Sequence, residues 1–334
     1  MTRRSLAQNS IFSLVAVMMF TFISCKQNAK KENAEETVAE EVAVEETKPE
    51  IKISLAQWSI HKMIFEEGVD PYTFAEKASK WGFEGLEYVS ALYYKELEAA
   101  NFSEEAMNNW VAKSKAESEK YGLENLLIMV DGQGDIASTD AATRKAAVEN
   151  HYKWVDAAAA LGCHSIRVNL NGTQEVEEWI PASVDGLTQL ATYGKEKGIN
   201  IIVENHGGPS SNGQLLSEVM EKVGMDNVGT LPDFGNFCIK REAGDYYSSK
   251  CLEEYDRYKG MEELMPYAKG VSGKSYDFDA EGNETTIDFA RIIDIVKDAG
   301  YTGYIDVEYE GNVLSEEEGI LATKKLIERI LAQP

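Results

Sequence analysis

One phrase recurs along this chain and limits what it can fold into: an amphipathic helix, a glycine, then a short apolar strand. It appears at Lys80-Trp81-Gly82-Phe83, Lys120-Tyr121-Gly122-Leu123, Ala160-Leu161-Gly162-Cys163, Glu196-Lys197-Gly198-Ile199 and Asp298-Ala299-Gly300-Tyr301. Helices commonly end on a glycine in the left-handed conformation, so each phrase marks a helix stop and a strand start. The first four glycines lie 40, 40 and 36 residues apart, the length of one strand–helix unit. Strands are predicted over 51–57, 83–89, 123–130, 163–169, 199–204, 228–233, 268–274 and 304–308, with helices between them. Asp70 (followed by Pro71), Ser103, Asp140 and Ser315 have the chemistry of helix N-caps. Eight strands alternating with helices predict an α/β fold, a (β/α)8 TIM barrel over 51–334. The alternative, a doubly wound sheet, calls for a glycine-rich phosphate loop after the first strand, where Trp58-Ser59-Ile60-His61 stands instead.

The first fifty residues read differently. Arg3 and Arg4 precede an apolar run from Ile11 to Ile23 that is too short to span a bilayer comfortably. The run ends Phe22-Ile23-Ser24-Cys25, the layout of a secretory signal peptide over 1–24. Cys25 after a small residue resembles a bacterial lipobox, in which that cysteine is lipidated and becomes the mature N-terminus. An uncleaved anchor helix is the alternative. Residues 25–50 carry eight Glu and no aromatic side chain, the composition of a disordered acidic tether. The expected product is an exported, membrane-anchored lipoprotein on the periplasmic side or the cell surface.

The chain carries 57 acidic residues against 33 basic ones, and −22 of its −24 net charge falls on residues 51–334. That balance excludes a duplex nucleic-acid surface, which needs clustered Lys and Arg. It also disfavours anionic ligands in general. Cys163, Cys238 and Cys251 match no metal motif and read as free, mostly buried thiols.

In a barrel of this type, polar residues at the C-terminal ends of the strands point into the active site. Here those ends carry Trp58 and His61, Glu87, Asp131, Arg167 and Asn169, Glu204 and His206, Asp233 and Asn236, Lys274, and Glu308. Ile201-Ile202-Val203-Glu204-Asn205-His206 runs β-branched residues into a carboxylate, and alternation predicts that Glu204 and His206 face the same way. Carboxylates at the fifth, sixth and eighth strand ends make a hard, oxygen-rich site suited to Mg²⁺ or Mn²⁺, or with an imidazole to Zn²⁺ or Co²⁺. Trp58, Tyr88, Tyr93, Tyr94, Phe234 and Tyr276 lie near strand ends and offer aromatic faces to a sugar, with packing in the core as the alternative for Trp58 and Phe234. Tyr246-Tyr247 and Tyr255–Tyr258 fall in a long connection that reads as a lid or an interface. Simple ion pairs are the competing assignment for the cations: Lys274 with Asp277 or Glu308, and Arg167 with Asp306.

Taken in order, Ala56-Gln57-Trp58-Ser59, Gly85-Leu86-Glu87, Ile166-Arg167-Val168-Asn169, Val203-Glu204-Asn205-His206, Pro232-Asp233-Phe234-Gly235-Asn236, Val271-Ser272-Gly273-Lys274 and Val307-Glu308-Tyr309-Glu310-Gly311 give residues 51–334 a resemblance to the sugar phosphate isomerase/epimerase family, the xylose isomerase-like TIM barrels. The resemblance implies a divalent metal (Mn, Mg, Co or Zn) held by Glu, Asp, His and Glu. The first, second and fourth map onto Glu204, Asp233 and Glu308, while the position of the family His holds Ser272. Three outcomes stay open: a water fills the place, His206 supplies the nitrogen, or the site binds no metal. The implied reaction is proton transfer beside the carbonyl of a sugar; export and the acidic balance argue, despite the family name, for a non-phosphorylated one. Glu204 and Glu308 would move the proton, and Arg167, His206 and Lys274 would hold oxygens of the substrate. Trp58, His61, Asn169 and Asn236 complete the expected substrate contacts. The alternatives are β-elimination from a 3-keto-glycoside and a non-catalytic sugar-binding lipoprotein.

Overall fold

The computed structural model describes residues 51–333, so the expected signal peptide, Cys25 and the tether lie outside the described residues. Eight parallel strands follow the predicted order: β1 (Lys52–Ala56), β2 (Gly85–Val89), β3 (Glu124–Met129), β4 (Ser165–Val168), β5 (Asn200–Glu204), β6 (Val228–Leu231), β9 (Val271–Ser275) and β10 (Tyr304–Tyr309). Their order in the sheet is β6-β5-β4-β3-β2-β1-β10-β9. Bridges Thr230–Ala268 and Asp233–Ser272 join β6 to β9 and close the sheet into a barrel, as the glycine spacing predicts. The closed ring excludes the doubly wound alternative.

The helices start and stop where the local chemistry asks. In α4 (Glu104–Tyr121) and α5 (Ala141–Leu161), Ser103 and Asp140 accept from the backbone N–H groups of Ala106 and Thr143. In α10 (Glu316–Leu331), Ser315 and Glu318 form a capping box. Gly122, Gly162 and Gly198 end α4, α5 and α6 (Val176–Lys197) in the left-handed conformation. The remaining helices are α1 (His61–Phe65), α2 (Phe74–Lys80), α3 (Tyr94–Ala99), α7 (Gly213–Val223), α8 (Arg257–Leu264) and α9 (Phe289–Asp298).

Three expectations change. First, β1 stops at Ala56 and Gln57 opens a tight turn, because the buried Gln57 amide bonds the Tyr93 hydroxyl and the Val89 N–H. Second, the connection after β6 contains an antiparallel hairpin, β7 (Cys238–Arg241) with β8 (Cys251–Glu254). Third, the hairpin aligns Cys238 and Cys251, which form a disulfide with Cα atoms 5.9 Å apart; among the described residues Cys163 alone is a free thiol, and it is buried. Thiol spacing carried no sign of that pairing, which depends on the two strands coming together.

Alternation along the strands sorts the side chains. In β10, Ile305 and Val307 belong to the apolar core, whereas Asp306 and Glu308 alternate with them and are equally buried. Outside the barrel wall, Trp110 stacks edge-on against Tyr88, Tyr93 and Trp154. Tyr88, Tyr93 and Phe234 are thus core residues.

Among the packed helix faces, α5 buries His151, whose Nδ1 lies 2.7 Å from the Ala147 carbonyl. Burial pushes this imidazole down to about 4. The unfolded chain therefore binds the proton more readily, and His151 costs stability as pH falls from about 6.5 toward 4. Between pH 7 and 4.5 the loss from this group is roughly 2 kcal/mol. Urea unfolding of His151→Leu beside the wild type should show a smaller stability difference between those two pH values, by about that amount.

Candidate active site

β5 runs three buried apolar residues into Glu204, β6 leads through Pro232 to Asp233, and β10 carries Glu308. Each carboxylate offers an oxygen within 4.8 Å of the other two, and all three side chains are buried. Asn205 fixes this geometry across the β5–β6 gap. Its amide donates to the Asp233 and Asn236 carbonyls at 3.0 and 3.1 Å, and its oxygen accepts from the Asp233 N–H at 2.7 Å. Asp233 Oδ1 in turn accepts from the N–H groups of Gly235 and Asn236, both at 2.7 Å.

Ser272 stands at the seam where β9 meets β6. Its hydroxyl lies 3.0 Å from Asp233 Oδ2 and 3.2 Å from Glu308 Oε2, so one proton serves two carboxylates. Lys274, also buried, places Nζ 2.9 Å from Glu308, 3.3 Å from Glu310 and 3.6 Å from Asp233. The Glu308 pair is thus observed and the alternative with Asp277 is not. Across the mouth, Arg167 lies 2.7 Å from Asp131 and 2.8 Å from Glu204. The alternative pairing of Arg167 with Asp306 is not observed; the Asp306 carboxyl feels the charge of Glu87 deeper in the barrel instead. Arg167 Nε is close to Glu204 Oε2 but out of line for a hydrogen bond, and that oxygen has no hydrogen-bond donor.

Burial and the crowding of like charges set the acidities. Glu308 is pushed up to about 8, by desolvation first, with Lys274 opposing. Desolvation also raises Glu204 and Asp233, against Arg167 and Lys274 respectively. Burial opposes the charge on Lys274, yet Asp233, Glu308 and Glu310 hold it protonated. Desolvation works to raise Asp131, yet it stays below the usual carboxylate range because the charge of Arg167 and the hydrogen bonds from Arg167 and Asn169 together outweigh it. His206 is held neutral down to about 3 by burial and the two nearby cations.

A cavity of about 490 Å³ opens onto these groups, lined by Trp58, Asp131, Arg167, His206, Asn236, Lys274, Tyr276, Glu308 and Glu310, and by Arg241, Tyr246 and Tyr247 of the hairpin. His206 lies beyond the end of β5, against Tyr247 at 4.5 Å between centroids, and is not in the carboxylate cluster. His61 stacks on Trp58 at 4.5 Å and supports that ring from outside the cavity lining. Asn169 donates to Asp131 at 2.8 Å and also lies outside the lining. Asn236 bonds Glu204 at 2.8 Å. Of the aromatic candidates, Trp58 and Tyr276 reach the cavity, while Tyr94 bonds the Asp131 carbonyl behind it. Glu310 and Arg241 were not singled out as site residues, although Glu310 stands two residues after Glu308.

The donor set fits a divalent cation. Three buried carboxylates converge, Glu204 Oε2 lacks a hydrogen bond, and six carboxylates at the site (Asp131, Glu204, Asp233, Glu254, Glu308 and Glu310) face three cations, Arg167, Lys274 and Arg241. No imidazole joins the cluster among the described residues.

Residues 75–330 match the family described as Xylose isomerase-like TIM barrel. Two curated relatives align over shorter stretches. Inosose dehydratase of Geobacillus thermodenitrificans is 26% identical over 146 residues, 40% of this chain and 48% of that protein. The 3'-dehydrocarminate deglycosidase alpha subunit of a Microbacterium species is 37% identical over 57 residues, 17% of this chain and 16% of that subunit. The chain thus spans less than half the length of these relatives. Solved structures share the fold at low identity. The apo 3-keto-D-glucoside 4-epimerase from E. coli has a TM-score of 0.61 at 14% identity, covering 84% of this chain and 100% of that one. The IOLI protein, solved with a zinc atom bound, has a TM-score of 0.62 at 16% identity, covering 84% and 98%.

Loading the purified chain with Mn²⁺ or Mg²⁺ should give about one bound ion per chain by elemental mass spectrometry. Asp233→Asn keeps the acceptor for Gly235 and Asn236 but removes the charge, and should weaken that binding at least about tenfold.

Proposed function

Because the chain belongs to the xylose isomerase-like TIM barrel family, we propose that it is a metal-dependent enzyme that moves a proton at the carbon beside a sugar carbonyl. The observation that carries this reading is the convergence of Glu204, Asp233 and Glu308 at the barrel mouth. These three residues would hold the metal, which as a Lewis acid would polarise the substrate carbonyl. Glu204 and Glu308 come from non-adjacent strands, β5 and β10, and flank the substrate position. One takes the proton from the carbon and the other returns a proton to the opposite face, which inverts that centre. Lys274 and Arg167 stabilise the negative oxygen that develops, and neutral His206 positions a hydroxyl. Asn236 holds Glu204 in place, and Trp58 offers a face to the ring. The excess of carboxylates in the cavity favours a non-phosphorylated sugar.

A second outcome shares the first step. Once the proton has left, a group on the next carbon can depart with its electron pair, which makes the reaction a β-elimination. The dehydratase and deglycosidase among the sequence relatives favour this outcome; the epimerase among the structural neighbours favours the first. We also propose that the protein is exported and anchored through lipidated Cys25. The disulfide Cys238–Cys251 supports that placement, because structural disulfides persist in oxidising compartments.

Keto-sugars and 3-keto-glycosides incubated with the enzyme in D₂O separate these cases. The wild type should place solvent deuterium beside the carbonyl of an intact product for epimerisation, or release the aglycone and leave an unsaturated keto-sugar for elimination. Glu204→Gln should slow exchange by about 10²–10⁴-fold with its melting temperature retained. Unchanged exchange in that variant would remove Glu204 from the mechanism.

A further inference from the structure

We propose that the cavity contains a second, outer subsite that binds a flat, apolar-faced ring carried on the sugar, and that the disulfide-linked hairpin is its wall. The inference rests on the sugar-acting reading above and extends it to a substrate class: a glycoside rather than a free monosaccharide.

Three observations carry it. The first is the division of the cavity. Its floor is charged, with Arg167, Lys274, Glu308 and Glu310, whereas its other lining brings in Trp58, Tyr276, Tyr246, Tyr247 and both half-cystines, beside Arg241 and Glu254 of the hairpin. Its volume of about 490 Å³ lies in the range of roughly 300–1,000 Å³ that holds drug-sized ligands. A sugar ring engaged by the charged floor leaves the aromatic part open.

The second is the way the hairpin is fixed in place. Its tip reaches across to the loop after β4. The Tyr247 hydroxyl donates to Asn171 at 2.7 Å, Gln174 donates to the Gly244 carbonyl at 2.7 Å, and the Gly172 N–H donates to the Tyr246 hydroxyl at 3.2 Å. Tyr246 also sits directly on the loop after β5. A Cβ at Gly207 would lie 2.3 Å from the Tyr246 carbonyl oxygen, and one at Gly208 would lie 2.8 Å from its ring. Both glycines have positive φ, so this loop takes the shape that seats the hairpin. The base of the hairpin is closed by Cys238–Cys251. Tyr247 is held over His206 with 44% of its surface still exposed.

The third is the distribution of exposed apolar side chains. Among the described residues, the exposed large apolar side chains Phe65, Val176, Tyr247, Leu252 and Val313 lie in the segments that follow the C-terminal ends of barrel strands, Phe65 at the end of α1 and Val176 at the start of α6; Leu321 lies further along α10. Phe65 meets Trp58 edge-on at 6.4 Å, which extends the aromatic surface outward from the cavity. An apolar rim around a charged floor complements a molecule with one polar and one apolar end. The carboxylate excess favours a neutral ring.

The test is calorimetric titration of the metal-loaded full chain with methyl and phenyl glycosides of glucose and galactose, their free sugars, and cellobiose. One phenyl glycoside should bind about tenfold more tightly than its methyl counterpart, the gain expected from an aromatic contact. In Tyr247→Ala the ratio of the two affinities should fall toward one. The Cys238→Ser/Cys251→Ser double variant should lower the same ratio while keeping its bound metal, which separates a displaced wall from a lost fold. Cellobiose gaining like the phenyl glycoside, with the gain lost in Tyr247→Ala, would identify the outer ring as a second sugar. Equal affinity for phenyl and methyl glycosides, or a ratio untouched by Tyr247→Ala, would overturn the subsite and leave the sugar reading standing. No binding of any of these sugars would overturn the subsite; if keto-sugars and 3-keto-glycosides also fail to react in D₂O, the sugar reading falls with it.

Discussion

Buried negative charge governs this site. Glu204, Asp233 and Glu308 converge within 4.8 Å at a place solvent barely reaches. Carboxylates left this close cannot all stay ionised without compensation. Arg167 and Lys274 supply part of it, from neighbouring strands on either side. The backbone N–H groups of Gly235 and Asn236 supply another part at Asp233. The residual demand falls on Glu308, which burial raises to about 8, and on the undonated oxygen of Glu204. Protons and a divalent cation compete for these same oxygens, so a bound ion would release protons as it enters.

The barrel makes the arrangement possible because the cluster forms where the sheet closes. β6 and β9 meet by isolated bridges, and one of these pairs Asp233 with Ser272. The Ser272 N–H donates to the Pro232 carbonyl and the Phe234 N–H donates to the Ser272 carbonyl, which hold Asp233 against the β9 wall. A second acidic layer lies beneath. Ser54 donates to Glu87 at 2.7 Å, Glu87 is raised to about 7 by burial, and Asp306 is raised further by burial and by Glu87. Neither Asp306 oxygen nor Glu87 Oε2 has a hydrogen-bond partner, so burial and the mutual repulsion of these two carboxylates favour their protonated forms.

Fold and cluster were legible in the sequence for different reasons. The glycine spacing reports helix termination, a local event, and the left-handed Gly122, Gly162 and Gly198 realise it directly. Glu204, Asp233 and Glu308 could be picked out because each follows an apolar strand. Side-chain direction was legible only inside strands. His206 shares the alternation of Glu204 on paper, but β5 ends at Glu204 and the loop turns through Gly207 at φ +86°. The imidazole therefore packs against Tyr247 and stays out of the carboxylate cluster. The Cys238–Cys251 link was hidden for a related reason. It depends on the pairing of Cys238 with Glu254 and of Arg241 with Cys251 across a hairpin that no periodic pattern announced.

Ser272 is the point at which the chemistry of this chain becomes its own. A serine hydroxyl is a weak neutral donor beside an imidazole, and here its proton is engaged by Asp233 and Glu308. The cluster is thus built from oxygen ligands alone among the described residues. Such a set leans toward hard cations and holds them by charge rather than by a strong nitrogen bond. A cation held that way owes its place to the count of ionised carboxylates around it, and that count is set by Arg167, Lys274 and the depth of burial. The same cations that make the pocket tolerable without a metal also weaken its hold on one. Lys274, 2.9 Å from Glu308 and 3.6 Å from Asp233, is the nearest competitor for the charge a metal would neutralise.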